Sequence, residues 1–231
     1  MSSELPPFRH DPPRITAGIR VKNGGDDLRL CLSRLVTLVD EIVVLDDGST
    51  DGTVETCRAC PAVTRLLSWP KDFFHEGLDR NIVLAMQADT GADWFLMVDA
   101  DEVFEDKADL RPFAANETVG VWGFRRFDFW FSRTHYRVPG FYGDGTKGGH
   151  RGMYRNVPGL RFPVEFVHCS TPQGTVGVTF QTGIRVKHYG FADRTRARAK
   201  LEMYEIIAHG SVDPWVNALF EEKPELMEWV E

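Results

Sequence analysis

The stretch FLMVDADEV, residues 95–103, carries an apolar run straight into Asp99, Asp101 and Glu102. Taken as WFLMVDADEVF (94–104), it reads as a strand buried on both faces that ends in a knot of carboxylates. EIVVLDD (41–47) has the same form and closes on Asp46 and Asp47. Two such strands predict a sheet with both acidic groups at one edge.

Working outward, RITAGIRV (14–21) reads as a strand before these two. DDLRLCLSRLVTLV (26–39) places Leu28, Cys31, Leu32, Leu35 and Leu38 at helical spacing, and Asp26 and Asp27 suit a helix start. STDGTVETCRAC (49–60) opens with cap-type residues and continues as a short helix. VTRLLSW (63–69) follows as a strand, LDRNIVLAMQADT (78–90) as a helix, and a further helix is expected near 106–115. Alternation of this kind requires crossover connections, hence an α/β fold: a Rossmann-like, mostly parallel sheet flanked by helices. The second half is mixed. VGVWGFRRFDFWF (119–131), TVGVTF (175–180) and IRVKHYG (184–190) read as strands around a Gly-rich stretch (140–152), and 193–210 as a helix closed by Gly210. A single domain over 1–231 is expected, with halves at 14–118 and 119–210 and extensions at 1–13 and 211–231. The tail PELMEWVE reads as a partner helix or a frayed end.

The 231 residues are 42% hydrophobic, enough for a sizeable core. Net charge is −7, but residues 120–200 hold 14 Lys/Arg against 4 Asp/Glu, so an anionic ligand suits this half and nucleic acid does not suit the acidic remainder. No run of about 18 apolar residues appears, and the Pro-rich start, an expected extended arm, lacks a signal-peptide profile. A cytoplasmic protein is expected, with peripheral contact to the inner face of a membrane allowed. The four cysteines fit a reduced protein, and the one Cys57–Cys60 pair has no second pair for zinc.

Clustered carboxylates repel, and burying one costs several kcal/mol unless it is paired. A divalent cation compensates, and hard oxygen ligands select Mg²⁺ or Mn²⁺. VLDDGSTDGT (44–53), the pair Arg80–Asn81 and FLMVDADE (95–102), in that order, resemble a family-2 glycosyltransferase of the GT-A fold, as does the opening ITAGIRVKNGGDDLRLCL.

That resemblance implies transfer of a sugar from a UDP-, GDP- or dTDP-sugar to a carbohydrate or lipid-linked acceptor hydroxyl, with Mn²⁺ or Mg²⁺ as cofactor and with inversion at the sugar. It implies a cation on Asp99, Asp101 and a late His, here His188. Donor contacts would come from Asp46, Asp47, Arg20, Arg80, Asp99 and Ala100. The catalytic base would be an acid of the second half, Glu165 first and Asp144 second, with His168 a neighbour. The basic run Arg194, Arg196, Arg198, Lys200 would help hold phosphate or simply be a solvated face. The aromatic segment 122–142 would stack on an acceptor sugar or pack the core.

Other classes fit less well. VDADEV also satisfies the DxDx[TV] nucleophile motif of haloacid-dehalogenase-type phosphatases, but that motif belongs on a first strand. A nucleotidyltransferase would need a longer Gly-rich loop after 14–21. A calcium loop counted from Asp47 meets Arg58 where a Glu is required. A non-catalytic sugar-nucleotide binder would not need an intact Asp99/Asp101 pair.

Overall fold

The structure, a computed structural model, describes residues 4–138, 152–165, 171–207 and 224–231. The first half alternates as expected: β1 (Ile15–Val21), α1 (Gly25–Leu35), β2 (Glu41–Asp46), α2 (Thr53–Ala59), β3 (Val63–Ser68), α3 (Glu76–Ala88) and β4 (Trp94–Asp99). These four strands are parallel and adjacent in the order β4-β1-β2-β3. Every residue of β2 is buried and β1 and β4 nearly so, which is why they read as unbroken apolar runs. Strand order reverses at β1/β4, the switch point beyond whose carboxyl ends ligands of open α/β sheets bind. The register sets Arg20 beside Asp99 and Val21 beside Asp46 at that edge.

One face of the sheet packs Ile15, Ile19 and Trp94 against Leu28, Cys31, Leu32 and Leu35 of α1. The other packs Val43, Leu45, Phe95 and Met97 against Val83 and Leu84 of α3. The close approach of α3 depends on Gly18, where a Cβ would stand 2.5 Å from Val83 and 2.7 Å from Gln87. Gln87 reaches past it to donate to the carbonyls of Thr16 (2.8 Å) and Leu96 (3.2 Å). Gly18→Val is expected to destabilise the fold by about 1–3 kcal/mol, read as a lower urea midpoint.

The second half adds β5 (Glu102–Phe104), α4 (Arg111–Ala114), β6 (Val119–Trp130), β7 (His135–Val138), β8 (Gly152–Arg155), β9 (Val178–Phe191), α5 (Arg194–Ile207) and β10 (Glu225–Glu228). β8 joins β4 to β6 antiparallel, and β9 runs parallel to β6 and antiparallel to β5. The sheet is therefore mixed here, as the sequence predicts.

Several expectations are corrected. Residues 94–104 are two strands: β4 stops at Asp99, whose N–H donates to the Glu102 carboxylate at 3.0 Å, and β5 leaves to pair with β9. The helix near 106–115 shrinks to Arg111–Ala114 because the Arg34 guanidinium takes the carbonyls of Glu105, Asp106 and Ala108. The stretches 175–180 and 184–190 contribute to one long strand, β9. The tail is a strand, β10, paired with β7, and Trp229 beyond it packs 5.4 Å from Phe127 with Arg185 stacked at 4.3 Å. The Pro-rich arm is pinned: Phe8 lies on Trp94, and Arg9 N–H, Arg14 N–H and His10 Nδ1 all reach Asp93. Burial works to raise the Asp93 carboxyl, but these bonds outweigh it and hold it below its ordinary value. Gly210 and most of the Gly-rich stretch lie outside the described residues.

Candidate functional site

Three groups of side chains meet at the carboxyl edge. The first surrounds the end of β2. Asp46 is fully buried and committed to the fold, accepting from Ser49 N–H at 3.1 Å and the Ser68 hydroxyl at 2.7 Å. Asp47 is also buried, but its Oδ1 meets only the Lys71 ammonium, at 2.7 Å and off the hydrogen-bond direction. Lys71, with a side chain 3% exposed, also donates to Asp79 at 3.1 Å. Arg20 reaches the same Asp79 oxygen at 3.2 Å and lies 4.4 Å over Phe74. Burial raises the Asp79 carboxyl, and Arg20 and Lys71 offset this only in part.

Two loops carry this group rigidly. Asn23 N–H donates to Ser49, Thr50 N–H to Asn23, Gly24 N–H to Thr53 and Gly25 N–H to Asp51, so the turns after β1 and β2 latch each other. Gly25, at φ +52, follows Asn23, itself at φ +53, in a left-handed turn that opens α1. Much of GSTDGT is thus turn chemistry.

The second group is the start of α3. Arg80 is buried, pairing with Glu76 at 2.7 Å and with Asp99 at 3.3 Å. Asn81 clamps Phe162, donating to its carbonyl at 3.0 Å and accepting its N–H at 2.8 Å. Gly77 N–H donates to the Glu165 carbonyl at 2.9 Å, and a Cβ on Gly77 would sit 2.1 Å from the Pro163 carbonyl oxygen. These contacts carry Glu165 to the same edge with its side chain exposed.

The third group lies beyond β4. Ala100 and Asp101 form the turn between β4 and β5, and the Asp101 carbonyl accepts Tyr189 N–H at 2.8 Å. His188, on β9, faces the Asp101 carboxylate with Nε2 at 3.6 Å and Asp128 of β6 with Nδ1 at 2.6 Å. Nδ1–H donates to the Asp128 carboxylate, which sets Nε2 facing the Asp101 carboxylate. A His oriented by a carboxylate behind it, with a second carboxylate in front, is an arrangement that metal sites use. Gly190 leaves the room: a Cβ there would stand 2.6 Å from His188 Nε2 and 3.0 Å from Asp101 Oδ2. The residues thus fit a divalent cation, although among the described residues no three His, Cys, Asp or Glu side chains gather to enclose one. Asp99, the other expected ligand, is turned towards Arg80.

Beneath this edge the Cys31 thiol is buried 3.7 Å from the Asp99 carbonyl; burial first, then the charges of Glu102, Asp101, Asp99 and Asp27, push its pKa up and keep it unreactive. Trp122, Phe124, Phe127, Phe129 and Trp130 are core. Of the basic run, Arg196 pairs with the buried Asp27, which Arg133 also holds, Arg194 stacks 4.0 Å over Phe131, and Arg198 is exposed. Asp144, His168, Phe141 and Tyr142 fall outside the described residues. Sequence reading missed Lys71, Asp79 and Asp128. A cavity of about 370 Å³ opens elsewhere, between α3 and residues 156–160, and none of the ion-pairing groups above line it.

The family model for glycosyl transferase family 2 matches residues 16–171. An uncharacterised protein of Mycobacterium tuberculosis is 28% identical over 207 residues, covering 83% of this chain and 50% of that protein. The prophage-derived glycosyltransferase SunS of Bacillus subtilis is 31% identical over 98 residues, 42% of this chain and 22% of its own length. The chain spans about half the length of the mycobacterial relative it matches. Among solved structures, TarS of S. aureus superposes with a TM-score of 0.53 at 16% identity, covering 76% of this chain and 36% of TarS. At that identity the likeness is one of fold: a mixed α/β sheet flanked by helices, similar to that of GT-A glycosyltransferases.

Proposed function

Because the chain belongs to glycosyl transferase family 2, we propose that it moves a sugar from a nucleotide-sugar donor to an acceptor hydroxyl, with inversion and with the help of Mn²⁺ or Mg²⁺. The observation that carries this reading is the line Asp128–His188–Asp101, which sets an imidazole nitrogen and a carboxylate face to face beside the switch-point edge. Asp101 and His188 would hold the cation, which would supply charge neutralisation for the donor diphosphate. Asp47 contacts the nucleoside, Arg80 holds Asp99 in place, and Asp46 supports the turn between them. Residues 14–118 form the donor half and 119–210 the acceptor half. The donor is a UDP-, GDP- or dTDP-sugar and the acceptor a carbohydrate or lipid-linked hydroxyl. No helix among the described residues is long and apolar enough to cross a membrane; a cytoplasmic site of action is part of the proposal. The phosphatase reading has no support from the family match.

The test is a melting-temperature panel of UDP, GDP and dTDP and their sugar conjugates, each with Mn²⁺ and with EDTA. One nucleotide is expected to stabilise the protein only with metal, by roughly 2.7 kcal/mol at 100 times its dissociation constant. No stabilisation by any of them would overturn the reading. For the base, Glu165→Gln is expected to keep donor binding and lower turnover by about 10²–10⁴-fold, measured as nucleotide release with acceptor present. Unchanged turnover would move the role to Asp144.

A further inference from the structure

A cluster of arginines beside the Asp101 turn has no role in the mechanism above. Asp27, in the first turn of α1, is 1% exposed and holds two guanidiniums at once: Oδ1 accepts from Arg133 at 2.7 Å and Oδ2 from Arg196. One carboxylate balances only one of these two charges. Of the acids adjacent in sequence, Asp26 pairs with Arg29, and Asp193 accepts Arg196 N–H at 2.8 Å as the cap of α5. Arg194 and Arg196 also occupy the first turn of α5, where the helix macrodipole disfavours cations. A clamp between α1 and α5 needs only one arginine, so the second works against stability until an anion joins it. The cluster borders the His188–Asp101 pair. Cys31, one helical turn after Asp27, has its thiol 3.7 Å from the Asp99 carbonyl. Arg133 lies 4.4 Å over the ring of Tyr189, the next residue after His188. Phe131 N–H donates to the Phe191 carbonyl at 2.9 Å and Ala197 packs with Trp130 and Phe191, which fixes the loop carrying Arg133 to the start of α5. The side chains of Arg133 and Arg196 are 47% and 52% exposed, so N–H donors not directed at Asp27 face solvent.

We infer that Arg133 and Arg196, spaced by Asp27, bind an anionic group on the acceptor, a phosphate or a carboxylate. This rests on the transferase reading above and narrows its acceptor to an anionic one. Two guanidiniums offer an oxyanion charge-assisted and bidentate bonds that a neutral polyol cannot match. Asp27 is a positioning residue here: it holds both forks in place beforehand, so less side-chain freedom is lost when the anion binds.

The experiment is calorimetric titration of the whole chain in Mn²⁺ with glycerol 1-phosphate, glycerate and glycerol, with and without saturating UDP, GDP or dTDP. Glycerol 1-phosphate, glycerate or both are expected to bind at least about 10-fold more tightly than glycerol, whether or not the nucleotide is present. Which of them does so tells phosphate from carboxylate. Arg133→Gln and Arg196→Gln each leave Asp27 one guanidinium; each should weaken the anion about 10-fold and leave nucleotide affinity unchanged. Melting temperatures establish that both variants fold. Wild-type anion affinity in both variants makes the cluster a structural clamp and overturns the proposal, while the transferase reading stands. So does a wild type that prefers neither anion to glycerol. An anion displaced by the nucleoside diphosphate overturns the acceptor role and gives the arginines to the donor phosphates. A wild type that binds no nucleoside diphosphate overturns the transferase reading and this inference with it.

Discussion

Asp101→Ala is expected to remove metal-dependent nucleotide binding while leaving the fold intact. In Mn²⁺ the nucleotide affinity should fall at least about 100-fold, to the value the wild type shows in EDTA, since losing even a residue behind a metal ligand costs about 10–100-fold. The fold should tolerate the change because what Asp101 gives β9 is its backbone carbonyl, which accepts Tyr189 N–H and survives the substitution. Calorimetry with and without EDTA, together with the ligand-free melting temperature, is the measurement. Equal Mn²⁺-dependent affinity in the variant would show that no cation is held on this turn.

Gly190→Ala should have nearly the same effect from a residue that contacts no ligand at all. The added methyl would lie 2.6 Å from His188 Nε2 and 3.0 Å from Asp101 Oδ2, and no real Cβ tolerates the first of these. What must give way is the ends of those two side chains rather than backbone, so the strand keeps its pairing and the site loses its geometry. A loss of about 30-fold or more in Mn²⁺-dependent nucleotide affinity is expected, with little change in melting temperature, because an error of about 1 Å at a catalytic centre is enough for such losses. Wild-type affinity in Gly190→Ala would mean that His188 and Asp101 do not act together.

The parallel half was legible because its strands are buried on both faces and its helices on one, so periodicity alone separates them. Asp101 and His188 were both singled out, from an acidic strand end and a late His, and the structure sets them 3.6 Å apart. Lys71 and Asp128 were not. Nothing local marks Lys71 in SWPKDFF, because its burial is created by Asp47 and Asp79 from two other elements. Asp128 sits in FDFW among core aromatics and gains meaning only from the β6–β9 register that sets it beside His188. The break at Asp99 was hidden for a related reason: Glu102 reads as one more acid of a cluster, while its carboxylate caps the end of β4. A charged residue that serves the backbone looks, in one dimension, the same as one that serves a ligand.

The pairing of β9 with β6 and β5 also fixes an order of events during synthesis. Arg20, Asp47, Lys71 and Asp79 all lie within the first 79 residues, and β1, β2 and β3 pair with near neighbours in the chain. His188 arrives roughly 5–20 s after Asp99 at ordinary elongation rates. Through that interval a nascent chain would carry the acidic edge without the imidazole that faces it, and the far edge of its sheet would await a strand still being made.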